Sequence, residues 1–274
     1  MAAEVGAAAA EVGAAPASPG AGTAEAVSQA VKAGRFSLTV LGADGSYPGP
    51  GGACSGYLLR VDGFSVWMDA GTGTLANLQL HMPLAQLDAV VVSHSHPDHW
   101  ADLEGLYVAM RYFLGREGVP VYAPIGLREL MNGEKVDGTF DWRVIKDGMS
   151  ADLGPLRWTW SQTAHPVETL AARVTAQGRS LGYSADTGPG WRFSNLGRGV
   201  NLALIEASAT SEAEASSLHL NASQAGLAAK QAGAEQLVIT HLSPPVDRER
   251  ARQEASTAFG KVAEVAVAGE TWLI

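Results

Sequence analysis

Four side chains of the kind that bind metal ions lie within six consecutive positions of this chain. They are His94, His96, Asp98 and His99, and the apolar run at residues 87–92 precedes them. Imidazole nitrogens and carboxylate oxygens are the usual protein ligands of zinc and similar first-row metals. Residues two apart in an extended loop point to the same side, so the first three of these side chains are expected to converge. His99 then points elsewhere, and one loop can supply ligands to two adjacent metal positions.

Further candidate ligands follow strand-like runs downstream. They are His165, Asp186 and His241. Together with the first loop, they resemble the HxHxDH signature and the downstream ligands of the metallo-β-lactamase-fold hydrolases. The resemblance covers roughly residues 36–274 and implies a four-layer αββα sandwich, in which outer helices cover two sheets. Periodicity alone indicates only an α/β fold.

The same resemblance divides the ligands between two metal ions, expected to be zinc, with manganese as the alternative. The implied ligands of one ion are His94, His96 and His165. Those of the second ion are Asp98, His99 and His241, and Asp186 is implied to bridge both ions. Zinc lowers the pKa of bound water from about 15.7 to about 7, so a zinc-bound hydroxide is the expected nucleophile. Asp98 is therefore expected to contribute to catalysis as a ligand.

The residues at two of these positions narrow the class of reaction. Class B β-lactamases commonly carry a cysteine near the bridging position, whereas this chain has Asp186 there and its only cysteine is Cys54. An aspartate at this position resembles phosphodiesterases and thioester hydrolases. Flavin-linked di-iron relatives carry glutamate where this chain has His96, so hydrolysis is expected rather than redox chemistry.

Three segments resemble the ribonuclease Z-related phosphodiesterase branch of the family. They are residues 204–208, 219–223 and 240–243. Two departures disfavour processing of tRNA 3′ ends: residues 100–240 contain no basic Gly/Pro-rich arm, and Pro244 and Pro245 replace an Arg-bearing tail. Actinobacterial relatives of similar length are associated with hydrolysis of cyclic nucleotides. A small phosphodiester, in particular a cyclic nucleotide, is therefore the preferred substrate.

Other functions stay open at the level of sequence. A tRNA 3′-processing endonuclease and a carboxylic-ester or thioester hydrolase share the same fold and ligand pattern. A metal-bearing binding or scaffold protein without turnover is the alternative from a different class. The complete ligand set disfavours it, because binding alone does not need Asp98. Turnover of bis(p-nitrophenyl) phosphate would distinguish an enzyme from such a protein.

A further pair of residues is expected to supply a proton to the leaving group. His219 is outside the ligand set and lies in a segment shared with the ribonuclease Z-like branch, where the matching Glu and His are thought to act together. Glu206 is the carboxylate that would keep His219 protonated, since an adjacent carboxylate raises the pKa of a histidine. The alternative is that His219 only braces the helix predicted to begin at Ala222.

The composition limits the partners and the compartment. The 274 residues include 19 basic and 28 acidic side chains, a formal net charge of −9, so a long nucleic-acid partner is not expected. Cys54 is the only cysteine, which excludes an intrachain disulfide and agrees with a cytoplasmic location. No apolar run reaches the length of a membrane span. The sequence leaves open whether the chain forms a homodimer.

The chain divides into a tail and one domain. Residues 1–34 are rich in Ala and Gly and have almost no large apolar side chain, so they are predicted to be disordered. Residues 35–274 are predicted to form the hydrolase domain. Within it, helical spacing predicts a helix over residues 101–115, whereas residues 134–149 receive no assignment.

Two polar residues at predicted element ends have expected local roles. Asn221 precedes the helix predicted over residues 222–232 and is a candidate N-cap. Asp69 ends a predicted strand. It is expected either to orient a metal ligand through a hydrogen bond or to form an ordinary turn.

Overall fold

Two β-sheets form the centre of the fold in the computed structural model, which describes residues 24–212 and 216–274. The strands are β1 Ser37–Gly42, β2 Gly56–Val61, β3 Phe64–Ala70, β4 Ala89–Val91, β5 Val119–Ala123, β6 Phe140–Val144, β7 Ser150–Leu153, β8 Leu156–Gln162, β9 Leu170–Ala176, β10 Arg179–Tyr183, β11 Leu202–Glu206, β12 Gln236–Thr240, β13 Glu264–Val265 and β14 Thr271–Leu273. The α-helices are α1 Ala24–Lys32, α2 Thr74–Gln79, α3 Leu103–Val108, α4 Leu127–Leu130, α5 Gly133–Val136, α6 Ala222–Ala232 and α7 Arg248–Phe259. Short 3-10 turns lie at Leu84–Gln86, Pro97–His99 and Phe193–Leu196.

The two sheets have the same plan. The strand order is β14-β1-β2-β3-β4-β5-β6 in the first sheet and β13-β12-β11-β10-β9-β8-β7 in the second. In the first sheet, β14 to β3 pair antiparallel and β3 to β6 pair parallel. In the second, β13 to β10 pair parallel and β10 to β7 antiparallel. The candidate ligands lie in the loops after β4 of the first sheet and after β8, β10 and β12 of the second. Of these strands, β4, β10 and β12 each pair parallel with a neighbour, whereas β8 pairs antiparallel with both of its neighbours.

Three apolar clusters define four layers. Side chains from both sheets, among them Tyr57 and Trp158, pack against each other in the middle of the sandwich. On the outer face of the first sheet, Trp67 packs in one cluster with residues of α2 and α3. On the outer face of the second sheet, Ile205 packs in one cluster with residues of α6 and α7. The αββα sandwich expected from the sequence is confirmed.

The pair of outer helices α6 and α7 is held close by small residues. Gly226 of α6 is necessary for this approach, because a Cβ atom there would lie 2.3 Å from the carbonyl oxygen of Ala255 in α7. The helix begins as predicted: the Asn221 side chain accepts the backbone N–H of Gln224, and the Gln224 side chain accepts the backbone N–H of Asn221. This reciprocal capping fixes the start of α6 and therefore the end of the loop that carries His219.

The prediction of a disordered tail is wrong for its last part. Residues 24–32 form α1, and Val27 on this helix is buried. The carbonyl oxygen of Gly34 then accepts the backbone N–H of Asp62 and a side-chain N–H of Gln177. These contacts are long-range in sequence, so composition alone did not reveal them. Residues 1–23 lie outside the described part of the chain.

Two other segments refine the sequence predictions. The helix expected over residues 101–115 is α3, extended by a π-helical turn at Ala109–Leu114. The unassigned residues 134–149 contribute most of α5 and all of β6, which pairs with β5 at the edge of the first sheet. Within the described ranges, no helix is both long and apolar enough to cross a membrane.

Candidate metal centre

The loop after β4 sends its ligand-type side chains to two neighbouring groups. His94 and His96 lie in one group, and Asp98 and His99 lie in the other. Alternation in an extended loop would bring Asp98 to the same side as the first two histidines, whereas the structure groups it with His99 and His241, the set that the family resemblance implied. Residues Pro97–His99 form a 3-10 turn instead of extended backbone, so the alternation of side chains ends at His96.

The first group contains three facing imidazoles and a carboxylate. His96 Nδ1 lies 3.2 Å from His94 Nε2 and 3.1 Å from His165 Nε2, and Asp186 completes the group. Nitrogens that share a tetrahedral zinc with bonds of about 2.0–2.1 Å would be roughly 3.3 Å apart. His165 Nδ1 donates to the Leu218 carbonyl at 3.2 Å, so its Nε2 has a free lone pair toward the group.

The second group contains two carboxylates and two imidazoles. His241 Nε2 lies 3.2 Å from Asp98 Oδ2 and 3.4 Å from Asp186 Oδ2. His99 Nε2 lies 3.3 Å from Asp186 Oδ1. Burial disfavours ionisation of Asp98, but the hydrogen bond with His241 outweighs burial and holds the pKa of this carboxyl well below its usual range. A charged carboxylate is therefore available as a ligand.

Asp186 belongs to both groups. Its Oδ2 lies 3.6 Å from His94 Nε2 in the first group and 3.4 Å from His241 Nε2 in the second. The structure thus brings together all seven residues predicted as ligands, in the two sets that the family resemblance implied, with Asp186 between them.

The donor set fits two divalent metal ions. His99 Nε2 and Asp186 Oδ1 are buried and have no hydrogen-bond partner among the described residues, although they face other ligand-type atoms. Buried polar atoms without partners are rare in proteins and call for an ion or water. Burial also lowers the pKa of His94 and His165, which keeps these imidazoles neutral and able to bind a cation. Nitrogen and carboxylate ligands in this mixture suit zinc.

Asp69 orients histidines of both groups, as one of the two sequence interpretations proposed. Its Oδ2 lies 2.8 Å from His99 Nδ1 and 2.8 Å from Ser93 Oγ. A carboxylate only accepts, so both of these atoms donate. Ser93 Oγ then has no proton left for His94 Nδ1 at 3.0 Å, and this nitrogen must donate to it. In its neutral form, each histidine therefore presents the Nε2 lone pair to the metal positions.

Left-handed backbone recurs around this centre. Asp69 at φ 55°, Ala185 at φ 49° and His241 at φ 57° are non-glycine residues in this sparsely populated region. Ser46, at φ 64°, donates its backbone N–H to Asp98 Oδ2 at 2.9 Å. Such conformations cost of order 1 kcal/mol each and concentrate at functional sites, where they aim side chains and backbone groups.

The predicted pair of Glu206 and His219 lies beside the ligand groups. His219 Nδ1 is 3.1 Å from Glu206 Oε1 and 4.0 Å from Asp186 Oδ2. Its ring stacks on that of His241, with centroids 5.3 Å apart. Burial disfavours the charged imidazole, but the hydrogen bond to Glu206 and nearby carboxylates outweigh it and raise the pKa of His219 to about 8. Thr187 donates its backbone N–H to the same Glu206 oxygen and fixes the carboxylate.

Sequence reasoning missed three contributors to the centre. Ser93 Oγ donates to Asp69 and accepts from His94 Nδ1, so it links these two side chains. Ser46 donates its backbone N–H to Asp98, and Tyr183 donates its hydroxyl to Asp69 from the opposite sheet. Ser93 directly precedes the histidine motif, and a search for polar neighbours of the ligands would have found it. No local signal existed for the other two, because their contacts join segments far apart in the chain.

The comparison with known proteins identifies the family. A profile described as the Beta-lactamase superfamily domain matches residues 65–242, a range that contains every candidate ligand. The chain belongs to the beta-lactamase superfamily. Within this superfamily, the probable metallo-hydrolase YhfI of Bacillus subtilis is 31% identical over 242 residues, covering 86% of this chain and 99% of its own length. The crystal structure of YhfI matches with a TM-score of 0.81 at 29% identity, over 87% of this chain and 99% of that one.

Two other relatives extend the comparison. An uncharacterized protein of Mycobacterium leprae is 37% identical over 249 residues, covering 86% of this chain and 87% of its own length. A ribonuclease Z of Methanopyrus kandleri is 26% identical over 259 residues, covering 81% of this chain and 92% of its own length. The prediction of a metallo-β-lactamase-fold hydrolase is confirmed at this level, and the chain is a metallo-hydrolase of the beta-lactamase superfamily.

Proposed function

We propose that this chain is a phosphodiesterase that hydrolyses small phosphodiesters, in particular a cyclic nucleotide. The observation that carries the proposal is the pair of Glu206 and His219 beside the bridging residue of the ligand groups. His219 Nδ1 lies 3.1 Å from Glu206 and 4.0 Å from Asp186. Cleavage of an alkyl phosphodiester produces an alkoxide that needs a proton, and a protonated imidazole at this position supplies one.

Two zinc ions are the proposed cofactors, with manganese as the alternative. The residues that would hold them are His94, His96, His165, Asp98, His99, His241 and Asp186. When bound, such a pair provides a nucleophile from water at neutral pH and stabilises negative charge on the phosphoryl oxygens.

The chain's own residues orient the reacting groups and move the proton. Asp69 fixes the metal-facing nitrogen of His99 through the 2.8 Å bond to its Nδ1. Glu206 Oε1 accepts a hydrogen bond from the Nδ1–H of His219, so Nε2 is the nitrogen of this half-buried ring that would donate a proton to a leaving oxygen. General-acid help from a positioned imidazole is typically worth about 10²–10⁴-fold in rate.

The overall charge favours a small substrate. The formal net charge of −9 opposes tight binding of a long polyanion, because such binding depends on neutralisation of several phosphates by Lys and Arg. A small phosphodiester needs only the metal centre and a few neighbouring groups. A cyclic-nucleotide substrate also implies a cytoplasmic location, with which the single cysteine, Cys54, is compatible.

A tRNA 3′-processing endonuclease is the second candidate. It is favoured by the 26% identity to the ribonuclease Z of Methanopyrus kandleri. To distinguish the two, one metal-replete preparation should be assayed on 3′,5′-cyclic nucleotides, dinucleotides, precursor tRNA, carboxylic esters and thioesters. Hydrolysis of a cyclic nucleotide as the best substrate supports the proposal. Cleavage of precursor tRNA as the best reaction supports the endonuclease, and preference for an ester or thioester contradicts both.

A further inference from the structure

A tyrosine of the second sheet contacts the residue that orients the histidines of the first. Tyr183, the last residue of β10, donates its phenolic O–H to Asp69 Oδ2 at 2.7 Å. Asp69 belongs to β3 of the first sheet, and both residues are buried. The bond therefore crosses the sandwich from β10 of the second sheet to β3 of the first. It joins the two sheets at the end where each of them carries ligands.

The same carboxylate oxygen serves three donors. Asp69 Oδ2 accepts the hydroxyl of Ser93 at 2.8 Å, the ring N–H of His99 at 2.8 Å and the hydroxyl of Tyr183 at 2.7 Å. Ionised carboxylates have room for several such bonds and are costly to bury without them. Burial raises the pKa of Tyr183 well above its usual value, so the phenol stays protonated and donates.

We propose that Tyr183 is a positioning residue of the metal centre, which acts through Asp69 on His99 directly and on His94 through Ser93. Its hydroxyl holds Asp69 in the orientation in which it accepts His99 Nδ1 and Ser93 Oγ, and these contacts aim the Nε2 atoms of His99 and His94 at the metal positions. Partners of metal ligands act in this way, and their loss typically weakens metal binding by about 10–100-fold. The proposal rests on the metal binding that forms part of the proposed function and not on the identity of the substrate.

A second tyrosine provides a matched control. Tyr57 of β2 is fully buried, and its ring centroid lies 5.4 Å from that of Tyr183. Its hydroxyl pairs with Thr240 Oγ1 at 2.6 Å and has no bond to Asp69. Replacement of either tyrosine by phenylalanine removes one buried hydroxyl from the same layer of the core. Only one of the two replacements removes a donor to Asp69.

Zinc binding to the full-length apoprotein tests the proposal without any substrate. The dissociation constants of wild type, Tyr183→Phe and Tyr57→Phe are measured by competition with a chromophoric chelator, and melting temperatures are recorded in EDTA. We expect Tyr183→Phe to raise the dissociation constant of the more weakly bound zinc ion about tenfold, because loss of a hydrogen-bond partner that orients a metal ligand typically has an effect of this size. We expect Tyr57→Phe to stay within about twofold, and the two apoproteins to melt at similar temperatures.

A double-mutant cycle then tests the route through Asp69. Asp69→Asn removes the charged acceptor, so Tyr183→Phe added to it should weaken zinc binding no further. Additive losses would show that Tyr183 does not act through Asp69 and would overturn the proposal. Equal effects of the two tyrosine replacements, or no effect of Tyr183→Phe, would also overturn it. If Tyr183→Phe fails to fold as the apoprotein while Tyr57→Phe folds, the role is structural and the proposal is wrong.

These outcomes separate the inference from the proposed function. A wild-type chain that binds zinc but hydrolyses no phosphodiester would contradict the function and leave the role of Tyr183 to be decided by the binding data. A wild-type chain that binds neither zinc nor manganese would overturn both.

Discussion

Asp186 is the residue on which the two ligand groups depend together. Its carboxylate faces His94 in the first group and His99 and His241 in the second. Without this carboxylate, less negative charge would remain between the two groups to balance the positive charge of bound cations. The occupancy of both metal positions should therefore respond to a change at this single position.

We predict that Asp186→Ala reduces the metal content of the protein. Elemental analysis should give close to two metals per wild-type chain, since seven ligands exceed what one tetrahedral zinc uses. The variant should retain about one or fewer, and phosphodiester hydrolysis should fall by at least roughly 10²-fold with the loss of the bridging ligand. Asp98→Asn, which alters the second group alone, is the matched control. Full metal content in Asp186→Ala would contradict the bridging role.

The contribution of His219 to the rate should depend on whether the leaving group needs a proton. An alkoxide needs a proton, whereas p-nitrophenolate leaves without one, so His219→Ala should lower the rate about 10²–10⁴-fold on an alkyl phosphodiester only. The measurement compares kcat for that substrate and for bis(p-nitrophenyl) phosphate, with metal content determined for each preparation. An equal defect on both substrates, or a loss of metal, would assign His219 a different role.

The candidate ligands were predictable from the sequence because they occur in a short motif and at strand ends. The grouping of the ligands and the contacts that orient them depend on backbone geometry and on the packing of the two sheets. Alternation placed Asp98 with His94, but the 3-10 turn at Pro97–His99 moves it to the second group. The contact of Tyr183 with Asp69 depends on how the two sheets face each other, which no local pattern in the sequence encodes.

At the level of elements, the loops after β4, β8, β10 and β12 carry the candidate ligands, and the capped start of α6 fixes the end of the loop that carries His219. The strands were predictable because their buried apolar runs are bounded by turn residues, and α6 was predictable from its capping residue. Helix α1 was not predictable, because its burial is limited to Val27, which packs only once the core has formed. Just after α1, the carbonyl oxygen of Gly34 accepts hydrogen bonds from Asp62 and Gln177. Both of these residues lie in turns between strands, remote in sequence from the ligand loops.

Removal of α1 should therefore reduce stability without reducing activity. A chain that begins at Arg35 loses the burial of Val27 and the two hydrogen bonds to Gly34. Together these contribute about 2–3 kcal/mol, or roughly 4–12 °C in melting temperature for a chain of this size. A chain that begins at Ala24 is the control and should melt like the full-length protein. An unchanged melting temperature for the shorter chain would show that α1 contributes nothing, and a lower kcat would place it in the active site.

At the scale of the whole molecule, the sandwich brings ligands from both sheets to one place. His94 to His99 come from the first sheet, whereas Asp186 and His241 follow strands of the second. In the proposed two-metal site, ions bound between these ligands would join the two halves of the fold. Ligands that bind only the folded state stabilise it by an amount that grows with their saturation.

We predict that removal of metal lowers the stability of the protein. Saturation at 100 times the dissociation constant is worth about 2.7 kcal/mol, so treatment with EDTA should lower the melting temperature by roughly 5 °C or more. Added zinc should restore it. Asp186→Ala serves as the control and should respond much less to the chelator. A melting temperature that does not depend on metal would mean that no ion joins the two sheets in the folded protein.

The central claim is that the metal centre of this acidic protein acts on a small phosphodiester. The most direct test is kcat/KM for a 3′,5′-cyclic nucleotide, precursor tRNA and a thioester, measured on one preparation of known metal content. The account predicts that the cyclic nucleotide is preferred by at least about 10²-fold over both other substrates, since this ratio expresses specificity. A higher kcat/KM for precursor tRNA or for the thioester would contradict it.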